Sequence, residues 1–177
     1  GIDVGATKTH ALVCDEQGLL LGFGNGPGGN PETEGYTGLA QAMQTAWREA
    51  SRQAGIRKEQ IEAAGFGIAG YDWPFQYMQT LESVKILGLS SERLRIENDA
   101  VPPIYAGTTH GWGIAACVGT GNNVRGLDAQ GRSARITGNS SAFGEFGGAA
   151  EIMQVVLQRL AWMWTGRGKA TQLADIL

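Results

Sequence analysis

One strand–turn–strand pattern occurs twice in this sequence. The first copy runs from Val4-Gly5-Ala6-Thr7 to the acidic turn Asp15-Glu16-Gln17-Gly18. The second runs from Val118-Gly119-Thr120-Gly121 to Asp128-Ala129-Gln130-Gly131, and the internal lengths agree to within one residue. An internal repeat limits the fold, because each copy is then one supersecondary unit of a larger architecture. We predict two related lobes whose small-residue turns face a single nucleotide; a chance match is the alternative.

The stretch before the first turn adds chemistry to this pattern. Gly5 has no Cβ, so the backbone of the Gly5-Ala6-Thr7 turn can approach a ligand closely. Successive N–H groups in such a turn form an anion site, and we expect the Thr7 and Thr9 hydroxyl groups to add donors. Asp3 ends the first strand, where a carboxylate beside phosphate binds Mg²⁺ through its waters. An ordinary glycine hairpin is the alternative, and Lys8 either touches phosphate or is solvated.

Composition limits the classes of partner. The chain has 177 residues and a net charge of −3, which argues against a nucleic-acid-binding surface because such surfaces carry a basic stripe. Its 28 glycines lie in turns and at strand ends, which indicates tight turns near ligands.

No apolar run has the length of a membrane span and no leader is present, so we expect a cytoplasmic protein whose N-terminus lies upstream. Cys14 and Cys117 lie in apolar strands without metal-ligand spacing, and we expect buried thiols.

Alternating strands and helices follow the first hairpin. We predict strands over 19–23, 63–70 and 94–98 and helices over 36–54, 75–87 and 100–107. The order βββαβαβα indicates an α/β fold with a sheet that is parallel after the meander, and ligands bind at the carboxyl ends of such strands. Asp3, Gly70 and Asp99 all fall at predicted strand ends. Asn30 lies in a glycine-rich loop over 24–31; its amide suits a sugar hydroxyl, although such loops are more often plain connectors.

The pattern begins again near Gly113. We predict a second meander of strands over 113–118, 123–128 and 132–137, a helix over 149–164 and the start of another over 171–177. The restart predicts an N-terminal lobe over 1–110 and the beginning of a second, truncated lobe over 111–177.

Five short motifs, taken in order, resemble one family. They are Gly29-Asn30-Pro31, Gly67-Ile68-Ala69-Gly70, Asn98-Asp99-Ala100, Gly119-Thr120-Gly121-Asn122-Asn123 and the glycine-rich segment 144–148. Their order resembles that of the BadF/BadG/BcrA/BcrD ATPase group, which includes N-acetylglucosamine kinase. The segments 3–9 and 118–122 resemble the two phosphate motifs of the wider actin/Hsp70/sugar-kinase superfamily.

The resemblance implies an ATP-dependent phosphotransferase with a ribonuclease H-like, actin-like ATPase fold in each lobe. It implies that Asp99 accepts the proton of the sugar hydroxyl and that Asn30 holds the sugar. The residues implied to bind the ATP phosphates and Mg²⁺ are Asp3, Gly5, Ala6, Thr7, Lys8, Gly119, Thr120, Gly121 and Asn122. The substrate side is implied to comprise Asn30, Gly70, Asp99 and Glu145, with Glu145 and Phe146 in place of the family's Asp-Glu pair. The family's adenosine-binding segment lies beyond this stretch.

We therefore expect a kinase for N-acetylglucosamine or glucosamine, with ATP, Mg²⁺ and a small-molecule sugar as its ligands. Two other functions stay open. One is an ATPase activator of a 2-hydroxyacyl-CoA dehydratase, which holds an iron–sulfur cluster through cysteines; the strand positions of both cysteines argue against it. The other is a non-catalytic module that senses sugar or nucleotide, which the Glu145-Phe146 change favours. For Asp99 the alternative role is that of a helix N-cap. The oligomeric state is also open, and a homodimer is possible.

Overall fold

The computed structural model describes residues 1–89, 91–119, 121–136 and 141–176. The chain divides into two compact units, Gly1–Gly107 and Thr108–Leu177. A five-stranded sheet lies in the first unit and a three-stranded sheet in the second. None of the helices within the described ranges is both long enough and apolar enough to cross a membrane. That the second unit begins a second ribonuclease H-like lobe stays a prediction.

The sheet of the first unit combines an antiparallel meander with two parallel strands. Its strands are β1 (Ile2–Val4), β2 (Lys8–Cys14), β3 (Leu20–Pro27), β4 (Ala64–Ile68) and β5 (Leu94–Asn98). They lie in the order β3-β2-β1-β4-β5, with β4 parallel to β1 and β5 parallel to β4. The predicted meander and parallel strands are confirmed. Because parallel neighbours end at one edge of a sheet, the segments after β1, β4 and β5 emerge side by side.

The first helix of this unit begins earlier than predicted. It is α1 (Pro31–Ala54), whereas the sequence predicted a start at Tyr36. Asn30 caps it, because its Oδ1 accepts a hydrogen bond from the Glu32 N–H at 2.9 Å, and proline occupies the first helical position. Gly35, with φ of 67°, kinks the chain one turn later, so the amphipathic pattern is visible only beyond it.

The other helices are shorter than predicted. They are α2 (Tyr77–Lys85), which follows a 3₁₀ turn over Pro74–Gln76, and α3 (Pro102–Gly107). Further 3₁₀ turns occupy Lys58–Gln60 and Ser91–Arg93. The predicted starts at Phe75 and Ala100 are therefore too early. In both cases a turn precedes the first helical residue and contributes no residue to the α-helix.

Alternate glycines of β3 pack against the backbone of α1. The contact pairs are Gly22 with Ala50, Gly24 with Ala46 and Gly26 with Ala42. A methyl group on Gly24 would lie 2.1 Å from the Ala46 carbonyl oxygen, which is far inside the van der Waals distance. The predicted loop over 24–31 is thus wrong for residues 24–27, which continue β3. They read as loop because glycine is rare in strands unless another backbone approaches closely.

The core of the first unit lies between the sheet and α1. Its fully buried members include Val4, Leu39, Met43, Ile68 and Val84. Side chains alternate along a strand, so the neighbours of these residues occupy the opposite face of the sheet. Val13 takes the core side of β2, and Cys14 lies on the opposite side and is exposed. Cys117 is only partly buried, so the expectation of two buried thiols is wrong.

The second unit repeats the meander. Its strands β6 (Gly113–Val118), β7 (Asn122–Leu127) and β8 (Ser133–Ile136) pair antiparallel, and α4 (Ala149–Trp164) follows them. The predicted helix over 149–164 is confirmed. The helix predicted over 171–177 is instead a 3₁₀ turn over Gln172–Asp175, and Leu177 lies outside the described residues. A second 3₁₀ turn occupies Ser141–Phe143.

The acidic turns of the two copies make the same hydrogen bonds. In the first, Asp15 Oδ1 accepts from the N–H groups two and four residues later, at 3.0 and 2.8 Å. Asp128 accepts from the equivalent pair, at 2.9 Å for both. Gly18 and Gly131 close these turns in the left-handed region, with φ of 81° and 77°. The sequence repeat is therefore also a structural repeat, since both copies use the same side-chain-stabilised turn.

We predict that Gly24→Ala destabilises the full-length protein and that Gly65→Ala does not. At Gly24 the new methyl group overlaps the α1 backbone, which cannot move without disturbing the core, and overpacking of this kind costs about 1–3 kcal/mol. Gly65 is the matched control, a strand glycine with nothing within 4 Å of the added methyl group. Thermal melts of both variants measure the difference, and equal midpoints would contradict the proposed role of the β3–α1 contact.

Candidate functional site

The segment that leads into α1, Gly28 and Gly29, packs against the turn between β1 and β2. Within the turn, the Gly5 N–H donates to the Lys8 carbonyl at 2.9 Å. The Gly29 N–H donates to the Gly5 carbonyl at 3.1 Å. A methyl group on Gly28 would lie 2.1 Å from the Ala6 carbonyl oxygen, so the supporting segment passes directly against the turn. Backbone hydrogen bonds and close backbone packing thus hold the conformation of the turn.

Two of the donors expected for phosphate are already occupied. The Gly5 N–H belongs to the internal bond of the turn, and the Thr9 hydroxyl donates to the Pro27 carbonyl at 2.8 Å. Thr9 is fully buried on the core side of β2, so its expected contact with phosphate is wrong. Ala6 and Thr7 are exposed, and their N–H groups donate none of the hydrogen bonds in the described part of the chain. The predicted anion site thus narrows to these two residues and the exposed Lys8.

Asp3 lies on the face of the sheet opposite α1. Its neighbours across the sheet are His10 on β2 and Gly67 on β4, and Gly67 in turn pairs with Glu97 on β5. A cleft of about 320 Å³ on this face is lined in part by these residues. Desolvation raises the pKa of the Asp3 carboxyl above its ordinary value, and the nearby His10 and Lys8 partly offset the rise. A cation at this position would therefore stabilise the ionised carboxylate.

The Asn30 side chain contacts Gly70, and the two residues were predicted to share a substrate site. A methyl group on Gly70 would lie 2.2 Å from the Asn30 Oδ1, and Gly70 adopts a left-handed φ of 75°. Only glycine satisfies both conditions. Asn30 Oδ1 is engaged as the α1 cap, whereas its side-chain NH₂ group donates none of the described hydrogen bonds. The side chain therefore has a helix-capping role together with donors that a ligand can use.

Asp99 lies directly above Gly67. A methyl group on Gly67 would lie 3.4 Å from the Asp99 Cα and 2.8 Å from a carbon of the Pro102 ring. Gly67 therefore allows the turn after β5 to cross close over β4. Because α3 begins only at Pro102, Asp99 does not occupy its N-cap position, and the N-cap alternative is wrong. Asp3 and Asp99 approach the same glycine, one from the neighbouring strand and one from above.

In the second unit, a glycine again supports the small-residue turn. The Gly119 N–H donates to the Gly121 carbonyl, and the Ala149 N–H donates to the Gly119 carbonyl, both at 2.9 Å. A methyl group on Gly148 would lie 2.5 Å from the Gly121 Cα, so the start of α4 packs tightly on the turn. Thr120, predicted to bind phosphate, lies outside the described residues.

Two further residues of this unit were predicted to bind ligands: Asn122, which lies beside the turn, and Glu145, which lies in the segment before α4. The Asn122 side-chain amide donates to the Phe146 carbonyl, which links the turn to that segment, and its Oδ1 is buried without a partner. Glu145 is half-buried, whereas Phe146 is 65% exposed. The structure gives Asn122 a structural bond that competes with its expected donation to phosphate.

The sequence analysis assigned no role to several residues of the site. Gly28 and Gly67 allow another part of the backbone to approach closely; Gly28 lies in a glycine-rich stretch, and Gly67 lies in one of the motifs that resemble the family. Asn98 and Gln76 are buried amides whose side chains bond to neighbouring segments; Asn98 also lies in such a motif, whereas no pattern indicates Gln76. A larger groove of about 680 Å³ between α1 and α2 contains none of the predicted site residues.

No group of three or more acidic, histidine or cysteine side chains suited to a metal occurs within the described ranges. A single carboxylate such as Asp3 is compatible with Mg²⁺, which keeps several waters and binds through one or two carboxylates plus substrate phosphates. The residues present therefore fit a water-mediated Mg²⁺ and not a dedicated all-protein cage.

Comparison with known sequences decides the family. The profile of the BadF/BadG/BcrA/BcrD ATPase family matches residues 1–173. The chain belongs to this ATPase family. An N-acetylmuramic acid/N-acetylglucosamine kinase of Clostridium acetobutylicum is 27% identical over 179 aligned positions, which cover all of this chain and 58% of that kinase. The chain thus spans little more than half the length of this curated family relative.

Solved structures show that this family member has the actin-like, ribonuclease H-like α/β fold. A candidate N-acetylglucosamine kinase from Chromobacterium violaceum matches 98% of this chain and 60% of its own length, with a TM-score of 0.72 and 22% identity. A second, from Porphyromonas gingivalis, matches 99% of this chain and 63% of its own, with a TM-score of 0.65 and 22% identity. The ethanolamine utilization protein EutJ from Carboxydothermus hydrogenoformans matches 99% and 59%, with a TM-score of 0.57 and 15% identity.

We predict that Asp3→Asn stabilises the full-length protein at pH 7. A raised pKa means that the folded state favours the protonated carboxyl, so stability falls as pH rises from the ordinary aspartate pKa through the raised one. Asparagine removes this penalty, and its advantage should shrink as pH falls through the same window. Melting temperatures between pH 3.5 and 7.5 measure the effect.

Asp15→Asn is the matched control, because asparagine can accept the same two turn hydrogen bonds. It should leave the melting temperature nearly unchanged. A lower melting temperature for Asp3→Asn at pH 7 would show that the carboxylate stabilises the fold, contrary to this prediction.

Proposed function

We propose that the full-length protein is an ATP-dependent kinase that phosphorylates a hydroxyl group of N-acetylglucosamine or glucosamine. The observation that carries this proposal is that the backbone positions of two aspartates adjoin Gly67: Asp3 pairs with it from β1, and the Asp99 Cα lies over it in the turn after β5. Phosphoryl transfer needs charge neutralisation beside the phosphate and a group that orients the attacking hydroxyl. Membership of an ATPase family and the name of the Clostridium relative support this chemistry.

On the acceptor side, Asp99 would accept the proton of the sugar hydroxyl as it attacks the terminal phosphate. A positioned carboxylate in this role contributes about 10²–10⁴ in rate. The Asn30 NH₂ group would donate to the sugar, and Gly70, which has no side chain, lets the Asn30 side chain lie against its backbone. Glu145 would also contact the sugar, and its replacement of the family's aspartate bears on the choice of sugar.

On the phosphate side, the two small-residue turns would bind the phosphates of ATP. The N–H groups of Ala6 and Thr7, the Thr7 hydroxyl and Lys8 are the donors in the first turn. Gly119, Thr120 and Gly121 would serve in the second. Asp3 would hold Mg²⁺ through its waters, and the ion, when bound, neutralises charge on the phosphates. The use of ATP and the reduced cysteines fit a cytoplasmic location.

The first test replaces the proposed base. Asp99→Asn in the full-length protein should lower turnover by roughly 10²-fold or more, because asparagine cannot accept the proton. ATP affinity should stay within about twofold, because the proposed contact of Asp99 is with the sugar hydroxyl and not with phosphate. Coupled ADP-release assays and nucleotide titrations measure the two quantities.

Asp15→Asn again serves as control, since it removes one carboxylate of the same unit from a turn outside the proposed site. Its turnover should match that of the parent. If Asp99→Asn keeps most of the parental activity, Asp99 is not the base, whatever its position above Gly67.

The second test concerns the substrate. We expect ADP release by the parent protein to depend on Mg²⁺ and on an amino sugar, with N-acetylglucosamine or glucosamine preferred over glucose. ATP turnover without any sugar dependence would point to an ATPase of another kind. Nucleotide binding without turnover would favour a sensing module.

A further inference from the structure

We propose that Asn98 is a positioning residue that fixes Asp99 relative to the segment after β4. The inference rests on the proposed function, because it assigns the means by which the base is held. Asn98 is the last residue of β5 and is only 4% exposed, so its amide is buried directly before Asp99. A buried amide is costly unless all of its polar atoms are bonded, which makes its partners informative.

Those partners lie on both sides of the site. Asn98 Oδ1 accepts a hydrogen bond from the Ala100 N–H at 3.0 Å, which spans Asp99 and shapes its turn. The Asn98 Nδ2 donates to the Tyr71 carbonyl and to Asp72 Oδ1, each at 3.3 Å. One side chain therefore joins the backbone around Asp99 to the segment that follows Gly70.

The segment on the far side of this bridge is itself held firmly. Gln76 is 9% exposed, and its Nε2 donates to the Gly70 carbonyl at 2.9 Å. Its Oε1 accepts from the N–H groups of Asp72 and Trp73, at 2.8 and 2.7 Å. Asn98 thus links the turn that carries Asp99 to the segment 70–76, whose conformation Gln76 fixes. This segment begins at Gly70, the glycine that contacts Asn30.

Asparagine is required because the bridge needs an acceptor and two donors in one short side chain. Aspartate has the same shape but no donor when ionised, and it would face the Asp72 carboxylate and the Tyr71 carbonyl. The resulting repulsion would push the turn that carries Asp99 away from the segment 70–76. A misplacement of about 1 Å from a residue outside the chemistry can cost 10²-fold in rate.

Asn98→Asp in the full-length protein tests the proposal. We expect kcat to fall by about tenfold or more, while the KM for ATP stays within about twofold, because the partners of Asn98 are Tyr71, Asp72 and Ala100, which are not proposed to bind ATP. The double variant Asn98→Asp, Asp72→Asn exchanges donor and acceptor and should recover a large part of the lost kcat. Assays run well below the melting temperature of each variant separate these effects from unfolding.

Other results would overturn the inference. Unchanged kcat in Asn98→Asp, or a loss that the exchange variant does not reduce, would show that the bridge does not position Asp99. If Asn98→Asp does not fold, Asp72→Ala alone removes the acceptor of this hydrogen bond and should lower kcat without raising the KM for ATP; parental kinetics there would also count against the bridge.

Failure of the proposed function is recognised separately. A parent protein without sugar-dependent ADP release defeats the kinase proposal. The bridge can then still be measured by amide hydrogen exchange, which should become faster over 70–73 and 99–101 in Asn98→Asp. Unchanged exchange in both segments would reject the bridge on structural grounds alone.

Discussion

The contact between the glycines of β3 and the alanines of α1 determines where the rest of the first unit can lie. Because no side chain separates the two backbones, α1 lies unusually close to the sheet, and β3 runs on to Pro27. The short segment that follows must then pass directly under the β1–β2 turn, where Gly28 and Gly29 contact it. The same segment ends at Asn30, so this one packing contact positions the start of α1, the β1–β2 turn and the Asn30 side chain.

Gly67 has a comparable role on the other face of the sheet. Without a side chain at this position, the turn carrying Asp99 can approach β4, and Asp3 lies on the neighbouring strand. The arrangement opposes stability, since desolvation raises the pKa of Asp3 and penalises its ionised form. Functional sites often retain such costs, and a cation beside Asp3 would offset the penalty by stabilising the ionised form.

Sequence patterns identified the order of elements, the repeat and the residues that come together at strand ends. They did so because burial and turn chemistry leave periodic signals, as in the paired turns of Asp15 and Asp128. They failed where a residue acts through close approach or through a shared bond. Residues 24–27 were predicted as a loop because the strand positions that face α1 are glycine. Thr9 was predicted to donate to phosphate because the local sequence does not show that its hydroxyl donates to the Pro27 carbonyl.

The two copies of the meander show which features the turn itself requires. In each, an N–H at or just before the start of a helix donates to the carbonyl of the first glycine of the turn. Gly29, two residues before α1, donates to Gly5, and Ala149, the first residue of α4, donates to Gly119. Each turn therefore lies at the positive end of a helix dipole, which favours a bound anion. The copies differ one residue before the valine that both contain, where the first has Asp3 and the second has Cys117. A carboxylate directly before this valine is therefore a feature of the first copy, and the Mg²⁺ of the proposed function would lie beside the first turn.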